Sequence, residues 1–428
     1  MAVDELPRIA VPPPGPRSRQ MAARLAAVEC PAFDARRQAR ADASGAEQTP
    51  IVYARGIGSN VFDVDGNRYV DLIAGFGALV LGHDPPTVTR ALEAQSERLL
   101  LALGVVYASD VKLFACERIA KLFPEPGARV MLGLSGADAI TAALKTAVLA
   151  TGRPRVVAFE GAYHGLSHGP LAACGLNAAF REPFAAQIGS FVTFAPYPAT
   201  EASLDASLSC VRDATKAGDV AAVLVEPILG RGGCVVPPDG FLGELRKICD
   251  DAGALLVADE IWTGMGRAGA MLASAAALPD VVCLGKGLGG GAPISACVGR
   301  ASVMEAWGKH GGSAIHTATH FGSPPACAAA IAVVDALERG ALAERAAKLG
   351  ERLRVALSRT LPARGKGLMV GVELESPAAA LRVSRALLEQ GWLALTGGAS
   401  GNCLTLSPAL TITEGQLDAF VEALGRVV

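Results

Sequence analysis

The sequence is poor in charged and aromatic side chains, and its positive and negative charges nearly balance. Charged residues make up 19% of the 428 positions, aromatic residues make up 5%, and the formal net charge is −2 at pH 7. Binding along a nucleic-acid backbone needs a surplus of basic side chains, so this composition excludes a large surface of that kind. Hydrophobic residues reach 51% and glycines number 49, which is typical of a large globular α/β protein.

Long uninterrupted apolar segments and paired cysteines are also missing. Residues 311–334 and 390–413 carry no charged side chain, but Gly, Pro, Ser and Thr interrupt both stretches, so neither is predicted to span a membrane. The N-terminal segment is acidic and Pro-rich, unlike a secretion signal. The ten cysteines form no Cys-x-x-Cys pair. We therefore expect a cytoplasmic protein without a metal site and without a nucleic-acid or membrane partner.

Short apolar runs indicate the fold class. Four of them are followed by a polar residue or Gly, which is typical of strands buried on both faces of a parallel sheet: 155–159, 221–225, 254–258 and 281–284. They predict an α/β protein with a large, mostly parallel sheet flanked by helices and a smaller α+β domain. We place the large domain at residues 76–330 and the C-terminal small domain at 331–428.

Residues 1–75 are predicted to form an N-terminal arm and a hairpin that belongs to the small domain. The arm is expected to be flexible or to wrap around the protein, with a helix-like segment near residues 20–28. The hairpin prediction rests on alternating residues around Asp65-Gly66, a two-residue turn signal.

Polar residues follow several of the predicted buried strands, and in open parallel sheets the ligand site lies beyond the carboxyl ends of the strands. Asp259 ends one strand, where an unpaired carboxylate would cost several kcal/mol and so needs a cationic partner. Lys286 follows another strand and precedes the glycine-rich run 287–291, where its amine could act as a nucleophile. The first residues of Ser135-Gly-Ala-Asp138 open an Ala-rich helix, whose free N–H groups could bind phosphate. Tyr163 follows a strand and could stack on a flat ring.

Each of these features alone has an ordinary structural explanation as a turn, a helix cap or a solvated side chain. Together they describe a site for pyridoxal phosphate, in which a lysine forms a Schiff base with the aldehyde and an aspartate keeps the pyridine nitrogen protonated. Arg267, within Gly264-Met-Gly-Arg-Ala-Gly269, is instead expected to form a structural ion pair.

The order of these motifs resembles the class-III aminotransferases, which are pyridoxal-phosphate enzymes of fold type I. The resemblance extends from about residue 56 to the C-terminus and is carried by Asp63-Val-Asp-Gly66, Gly82-His83, Ser135-Gly-Ala-Asp138, Ala162-Tyr-His-Gly165, Val225-Glu-Pro227, Pro238-Asp-Gly240, Asp259-Glu-Ile-Trp-Thr-Gly264, Gly285-Lys-Gly287 and Arg364-Gly-Lys-Gly-Leu368.

The resemblance implies a role for each matching residue. Lys286 would be the Schiff-base lysine and Asp259 the partner of the ring nitrogen. Tyr163 would stack on the ring, with Ile261 on the opposite face. The remaining cofactor-binding positions would be Gly136 and Ala137 at the phosphate, His164 beside Tyr163, and Thr319, which would bind the phosphate of the neighbouring subunit's cofactor in a homodimer.

Departures from the family concern the substrate. Aminotransferases for 4-aminobutyrate carry an Arg where this chain has Leu166, and the family's usual α-carboxylate anchor is replaced by Thr405. Glu226 keeps its place without the Arg with which it pairs in such relatives. Trp262 replaces a Gln near the cofactor and reshapes the pocket, which Phe76 is also expected to line.

We therefore predict a transaminase that moves an amino group from an ω-amine or similar donor to a keto acid or aldehyde. Arg231 is the first candidate for binding the acceptor carboxylate. The alternative within the same fold is an amino-acid racemase, epimerase or aminomutase. A non-catalytic pyridoxal-phosphate-binding protein is disfavoured because Lys286 and Asp259 are both present. A nucleotide-binding oxidoreductase would need a Gly-x-Gly-x-x-Gly turn after its first strand, and the densest Gly-rich run, at 285–291, holds a lysine and opens no obvious helix.

Overall fold

The computed structural model describes residues 5–309 and 311–428, which form three β-sheets with flanking helices. The strands are β1 (Tyr53–Ile57), β2 (Asn60–Asp63), β3 (Arg68–Asp71), β4 (Arg129–Gly133), β5 (Arg155–Phe159), β6 (Val192–Ala195), β7 (Val220–Val225), β8 (Leu255–Asp259), β9 (Val281–Leu284), β10 (Ser295–Gly299), β11 (Ala363–Lys366), β12 (Met369–Glu373), β13 (Trp392–Leu393), β14 (Leu395–Gly397) and β15 (Cys403–Leu406).

The α-helical segments include several of a single turn. They are α1 (Pro16–Ala26), α2 (Pro31–Ser44), α3 (Ala74–Gly77), α4 (Pro86–Arg98), α5 (Asp110–Ala120), α6 (Gly136–Thr151), α7 (His168–Ala172), α8 (Ala185–Ile188), α9 (Glu201–Thr215), α10 (Phe241–Ala252), α11 (Ala301–Met304), α12 (Pro324–Arg339), α13 (Leu342–Leu357), α14 (Pro377–Glu389) and α15 (Glu414–Gly425). No helix in the described ranges is long and apolar enough to cross a membrane.

The largest sheet has seven strands in the order β4-β10-β9-β8-β7-β5-β6. Strands β9, β8, β7, β5 and β6 are parallel to one another, whereas β10 is antiparallel to both of its neighbours. Strand β4 therefore runs in the same direction as β9. This arrangement confirms the predicted α/β class and brings the carboxyl ends of six strands to one edge of the sheet.

Both faces of this sheet are covered, which explains the apolar runs in the sequence. Val157 and Phe159 of β5 pack with residues of α9 and α10 on one face, and Val156 and Ala158 pack with residues of α6 on the other. All six residues of β7 are buried. Alternating side chains of β5 from Val156 to Phe159 thus enter two separate cores, which leaves no place for a polar side chain in this part of the strand.

Two four-stranded sheets, β1-β2-β3-β13 and β11-β12-β15-β14, lie outside the large sheet. The first contains the predicted hairpin, because β2 and β3 are antiparallel. The prediction of a two-residue turn is wrong, since four residues separate the strands and the Asp63 carboxylate closes the loop by accepting hydrogen bonds from the N–H groups of Asp65 (3.0 Å) and Asn67 (2.9 Å). The proposed domain boundaries near residues 75 and 330 stay predictions.

From residue 5 onward the N-terminal arm packs on the protein and contains two helices, α1 and α2, of which only the first was predicted. The Asp65 carboxylate in the hairpin loop accepts hydrogen bonds from the N–H groups of Arg17 (2.8 Å) and Ser18 (2.9 Å) at the start of α1. Asn67 Oδ1 accepts two more, from Ala10 (2.8 Å) and Val11 (3.0 Å). The hairpin loop therefore fastens the arm to the protein.

We predict that Asp65→Ala loosens the arm, because the first N–H groups of α1 lose their acceptor and a lost helix cap costs about 1 kcal/mol. Trypsin should then cut within residues 17–24 faster than in the unchanged protein, as followed by mass spectrometry. The matched control is Asp205→Ala on α9, which removes an exposed carboxylate away from the arm. Equal cleavage rates for the two variants would contradict the fastening role.

Candidate active site

The carboxyl edge of the large sheet gathers the polar residues that follow its strands. Because β4, β5, β7, β8 and β9 run in one direction, the chain segments after them meet at this edge. They carry Ser135, Tyr163, Glu226, Asp259 and Lys286 respectively, and all five side chains line one cavity. Residues far apart in the sequence are thus brought together by strand direction alone.

Asp259 is the last residue of β8, and its side chain is nearly buried, with 4% exposed. Its Oδ2 atom lies 2.7 Å from His164 Nδ1, and its Oδ1 accepts a hydrogen bond from the Ile261 N–H at 3.0 Å. The partner that the buried carboxylate needs is therefore His164, which fixes its orientation. The other ring nitrogen of His164, Nε2, is buried and has no hydrogen-bond partner among the described residues.

Lys286 follows β9 with a backbone φ of 39°, in the left-handed region that non-glycine residues rarely adopt. Its Nζ atom lies 4.1 Å from the centroid of the Trp262 ring. Burial lowers the pKa of Lys286 to about 8, although the carboxylates of Asp259 and Glu226 oppose the shift. A substantial fraction of this amine is consequently neutral, and so nucleophilic, in mildly alkaline solution.

Glu226 was expected to lack a partner, and the structure corrects this expectation. Its Oε1 atom accepts a hydrogen bond from the Tyr163 N–H (2.7 Å), and its Oε2 atom accepts one from the Gly230 N–H (2.9 Å). Backbone donors thus replace the missing Arg. Burial, reinforced by the nearby Asp259 carboxylate, raises the pKa of Glu226 to about 7.

The Tyr163 ring is covered on one side by a cation. The guanidinium carbon of Arg231 lies 4.5 Å from the ring centroid, a distance at which the positive charge is attracted to the face of the ring. This contact places Arg231 beside the cavity that also contains Lys286.

Helix α6 opens at the cavity with a capping box in which Ser135 and Asp138 each bind the other's backbone N–H. The N–H groups of Gly136 and Ala137 lie at the same open end of the helix, where anions are favoured. Gly136 is required by close packing, because a Cβ atom there would lie 2.8 Å from Ile261 Cδ1. Ile261 therefore lies directly against the start of α6.

Two cavities that share lining residues occupy this edge, and we call the smaller one the inner cavity and the larger one the outer cavity. The inner one, of about 270 Å³, is lined by Ser135, Gly136, Ala137, Tyr163, His164, Gly165, Leu166, Glu226, Arg231, Asp259, Ile261, Trp262 and Lys286. The outer one, of about 700 Å³, shares Tyr163, Arg231, Trp262 and Lys286 and is further lined by Phe33, Arg36, Arg37, Arg40, Ile73, Phe76, Leu395, Thr396, Gly397, Thr405 and Ser407. In the described ranges no cluster of His, Cys, Asp and Glu could hold a metal ion.

Thr319 lies outside both cavities of its own chain, on an exposed segment. Every other predicted site residue lines one of the two cavities.

The expected ion pair of Arg267 is not found in the described residues. Its buried guanidinium donates instead to the backbone carbonyls of Leu368 (2.9 Å) and Pro408. Burial lowers the pKa of Arg267 to about 9.

The arm residues at the cavity mouth were missed by sequence reasoning. Arg36, Arg37 and Arg40 are spaced so that they lie on adjacent turns of a helix, and Pro31 at its first turn and Gly45 after its end would have indicated that helix. The position at which that helix packs on the protein cannot be predicted from any local sequence pattern.

We predict that the titration of Glu226 lowers the free energy of unfolding of the ligand-free protein by an amount on the order of 3 kcal/mol as the pH rises from about 4.5 to 7. The sign follows because a raised folded-state pKa means that the folded protein binds more protons here than the unfolded chain. Glu226→Gln should flatten this part of the profile of urea midpoint against pH. The control variant Glu160→Gln, at an exposed position, should show the same fall in urea midpoint as the unchanged protein. An unchanged profile for Glu226→Gln would refute the raised pKa of Glu226.

Comparisons with known proteins agree with this geometry. The family described as Aminotransferase class-III matches residues 41–428. An acetylornithine aminotransferase of Mycobacterium tuberculosis is 41% identical over 389 residues, which cover 89% of this chain and 92% of that protein. Another, from Methanopyrus kandleri, is 38% identical over 335 residues, covering 76% and 81% respectively.

Solved structures give the same result. The ornithine aminotransferase from Toxoplasma gondii superposes with a TM-score of 0.80 at 32% identity, covering 88% of this chain and 90% of that one. An amine transaminase from an uncultivated Pseudomonas species has a TM-score of 0.82 at 30% identity, covering 89% and 95% respectively. Both are fold type I enzymes for which pyridoxal phosphate is the cofactor. The chain belongs to the class-III aminotransferases, and it is a pyridoxal-phosphate-dependent transaminase of fold type I.

Proposed function

We propose that the protein transfers an amino group from a primary ω-amine to a keto acid or aldehyde, with Lys286 as the residue that carries the chemistry. The observation that supports the proposal most directly is the convergence of Lys286, Asp259 and the start of α6 on one cavity. The names of the relatives are consistent with it, because ornithine and acetylornithine both carry a terminal amine, and a further relative is an amine transaminase.

The residues of the inner cavity fit the shape and charge of pyridoxal phosphate. The N–H groups of Gly136 and Ala137 would bind its phosphate, and the oriented carboxylate of Asp259 would hold a proton on its ring nitrogen. Tyr163 and Ile261 are the side chains proposed to contact the two faces of the ring. His164 acts through Asp259, since its Nδ1 atom is bound to that carboxylate.

When bound, the cofactor supplies an aldehyde that condenses with amines and a ring that accepts the electron pair released at the substrate carbon. The lowered pKa of Lys286 suits its part, because its neutral amine can attack that aldehyde. With the substrate amine bound to the cofactor, Lys286 Nζ would be the base that moves a proton between the substrate carbon and the cofactor carbon. The Trp262 ring lies against this nitrogen, with its centroid 4.1 Å away.

The site is proposed to be completed by a second copy of the chain. Thr319 is exposed and lines neither the inner nor the outer cavity of its own chain, which suits a residue that binds the phosphate of a neighbouring subunit's cofactor. Near it, Gly104 lies against the Phe321 carbonyl, and the surrounding segment 99–107 exposes a run of large apolar side chains: Leu99, Leu100, Leu101, Leu103, Val105, Val106 and Tyr107. An apolar surface of this kind favours burial in an interface.

We predict that Lys286→Ala lowers turnover by orders of magnitude, while the protein still binds the cofactor through contacts to the phosphate and the ring of the cofactor. Borohydride should fix the cofactor to the peptide that contains Lys286 in the unchanged protein and should fix none in the variant. Lys348→Ala, which removes an exposed lysine on α13, is the matched control and should behave as the unchanged protein. Fixation of the cofactor on a different lysine would overturn the proposal.

Leu166 in the inner cavity and Thr405 in the outer cavity support a donor whose tail is uncharged close to the reacting carbon. Leu166 and Thr405 stand where relatives place carboxylate-binding arginines, and a carboxylate that leaves water unpaired loses several kcal/mol. Arg231, over Tyr163, is proposed to bind the acceptor carboxylate instead, because in a keto acid that group is adjacent to the reacting carbon.

We predict that butylamine exceeds 4-aminobutyrate by at least about tenfold in kcat/KM against one acceptor, equivalent to about 1.4 kcal/mol. The two donors have the same number of carbons and differ only in that a carboxylate replaces a methyl group. The ratio of their kcat/KM values therefore measures the cost of taking the carboxylate out of water. Leu166→Arg should narrow or reverse the ratio. Equal or better efficiency with 4-aminobutyrate in the unchanged protein would show that the carboxylate has an anchor in the inner cavity.

A further inference from the structure

Helix α2 of the N-terminal arm places three arginines at the mouth of the outer cavity. Arg36, Arg37 and Arg40 line it together with Arg231 and Lys286, and no Asp or Glu is among the lining residues. The mouth is therefore strongly positive on a protein whose net charge is −2. A cleft with charges of a single sign concentrates ligands of the opposite sign.

The arm holds these arginines in place. Arg385 of α14 donates a hydrogen bond from Nη2 to the Pro13 carbonyl (2.7 Å) and forms an ion pair with Glu47 (3.4 Å), just after α2. Together with the hydrogen bonds from the hairpin loop to the arm, this contact anchors the segment on both sides of α2. The guanidinium groups are therefore presented by a docked helix.

The arginines are incompletely neutralised by the protein. Arg36 has no acidic partner among the described residues, and Arg37 pairs only with the largely exposed Asp34 at 3.2 Å. The Arg40 side chain makes a single long hydrogen bond, to Gln48 Oε1 at 3.5 Å. Burial, and then the charge of Arg36, lower the pKa of Arg40. Like charges held close together cost free energy that an anion would recover.

The outer cavity is also lined by apolar side chains. They are Phe33, Ile73, Phe76, Trp262 and Leu395, and Phe76 is 58% exposed. One cavity thus combines a reactive amine, apolar side chains and a cluster of cations. The complementary ligand has a primary amine, a hydrocarbon spacer and a distal anion.

We infer that Arg36, Arg37 and Arg40 form a binding site for an anionic group at the far end of the amine donor, a carboxylate or a phosphate. The inference rests on the proposed function, since it assigns the tail of the substrate whose amine reacts at Lys286. The family match covers residues 41–428, so all three arginines precede the matched range.

The site has a consequence that depends on donor length. On a four-carbon donor the carboxylate stays close to the reacting carbon, where neither Leu166 nor Thr405 offers a cation, and it weakens binding. A longer spacer carries the anion out to the arm, where arginine offers charge-assisted hydrogen bonds. An anionic tail therefore weakens the binding of a short donor and strengthens the binding of a long one.

The test measures kcat/KM of the holoenzyme for hexylamine, 6-aminohexanoate and 6-aminohexyl phosphate, and for the corresponding eight-carbon donors. One uncharged aldehyde acceptor is used throughout, so that only the donor tail carries an anion. The variants are Arg36→Ala and the double variant Arg36→Ala/Arg40→Ala. Arg24→Ala, which removes an exposed arginine of α1 outside the cavity, is the matched control.

We expect the anionic donors to surpass the alkylamine of equal length in the unchanged enzyme. The double variant should lose at least about tenfold of kcat/KM for the anionic donors and keep that for hexylamine, whereas Arg24→Ala should change neither. Arg36→Ala breaks no ion pair of the folded protein and should show a smaller loss of the same kind. The anion with the larger loss, carboxylate or phosphate, identifies the tail that the site prefers.

Three outcomes would overturn the inference. An equal loss for hexylamine and the anionic donors would assign the arginines to the fold of the arm alone. No loss for any donor would show that they face solvent. If the unchanged enzyme turned over no amine with any acceptor, the proposed function itself would fail. If hexylamine and the anionic donors were turned over equally well with and without the arginines, only the anion site would fail and the proposed function would stand.

Discussion

Burial of carboxylates at the end of a parallel sheet is the constraint on which the rest of the site depends. Glu226, Asp259 and Glu260 are each at most 5% exposed. Each needs compensation: backbone N–H groups for Glu226, His164 for Asp259, and Thr263 with Ser274 for Glu260. Lys286, which lines the same cavity as Arg231, has its pKa lowered by burial. Hydrogen bonds within the protein thus hold the buried acids in fixed orientations.

Much of the large sheet could be predicted from the sequence because both of its faces are buried. A strand such as β7, with six buried residues in succession, has a continuous apolar pattern. The polar residue that follows it then marks the carboxyl edge of the sheet, where the cavity lies. The same logic located Asp259 and Lys286, and the capping box at Ser135 had a local signature of its own. The structure brings these residues around one cavity, while their individual catalytic roles stay predictions.

What could not be predicted depended on contacts between distant parts of the chain. The hairpin loop is longer than expected because the Asp63 side chain, rather than the turn residues alone, closes it. Arg267 appeared suited to an ion pair, but the acceptors that reach it are carbonyl groups brought from residues 368 and 408. The arginines of α2 follow no motif at all, and their meaning appears only when the arm docks at the cavity.

The antiparallel strand β10 links the carboxyl edge of the large sheet to a segment that comes late in the sequence. Strand β4, which leads into the capped start of α6, reaches the sheet only through β10, where Gly133 pairs with Ser295. The strand that leads into the proposed phosphate-binding end thus pairs with a segment that follows Lys286 in the chain. A contact between segments so distant in sequence carries a loop-closure cost and slows folding.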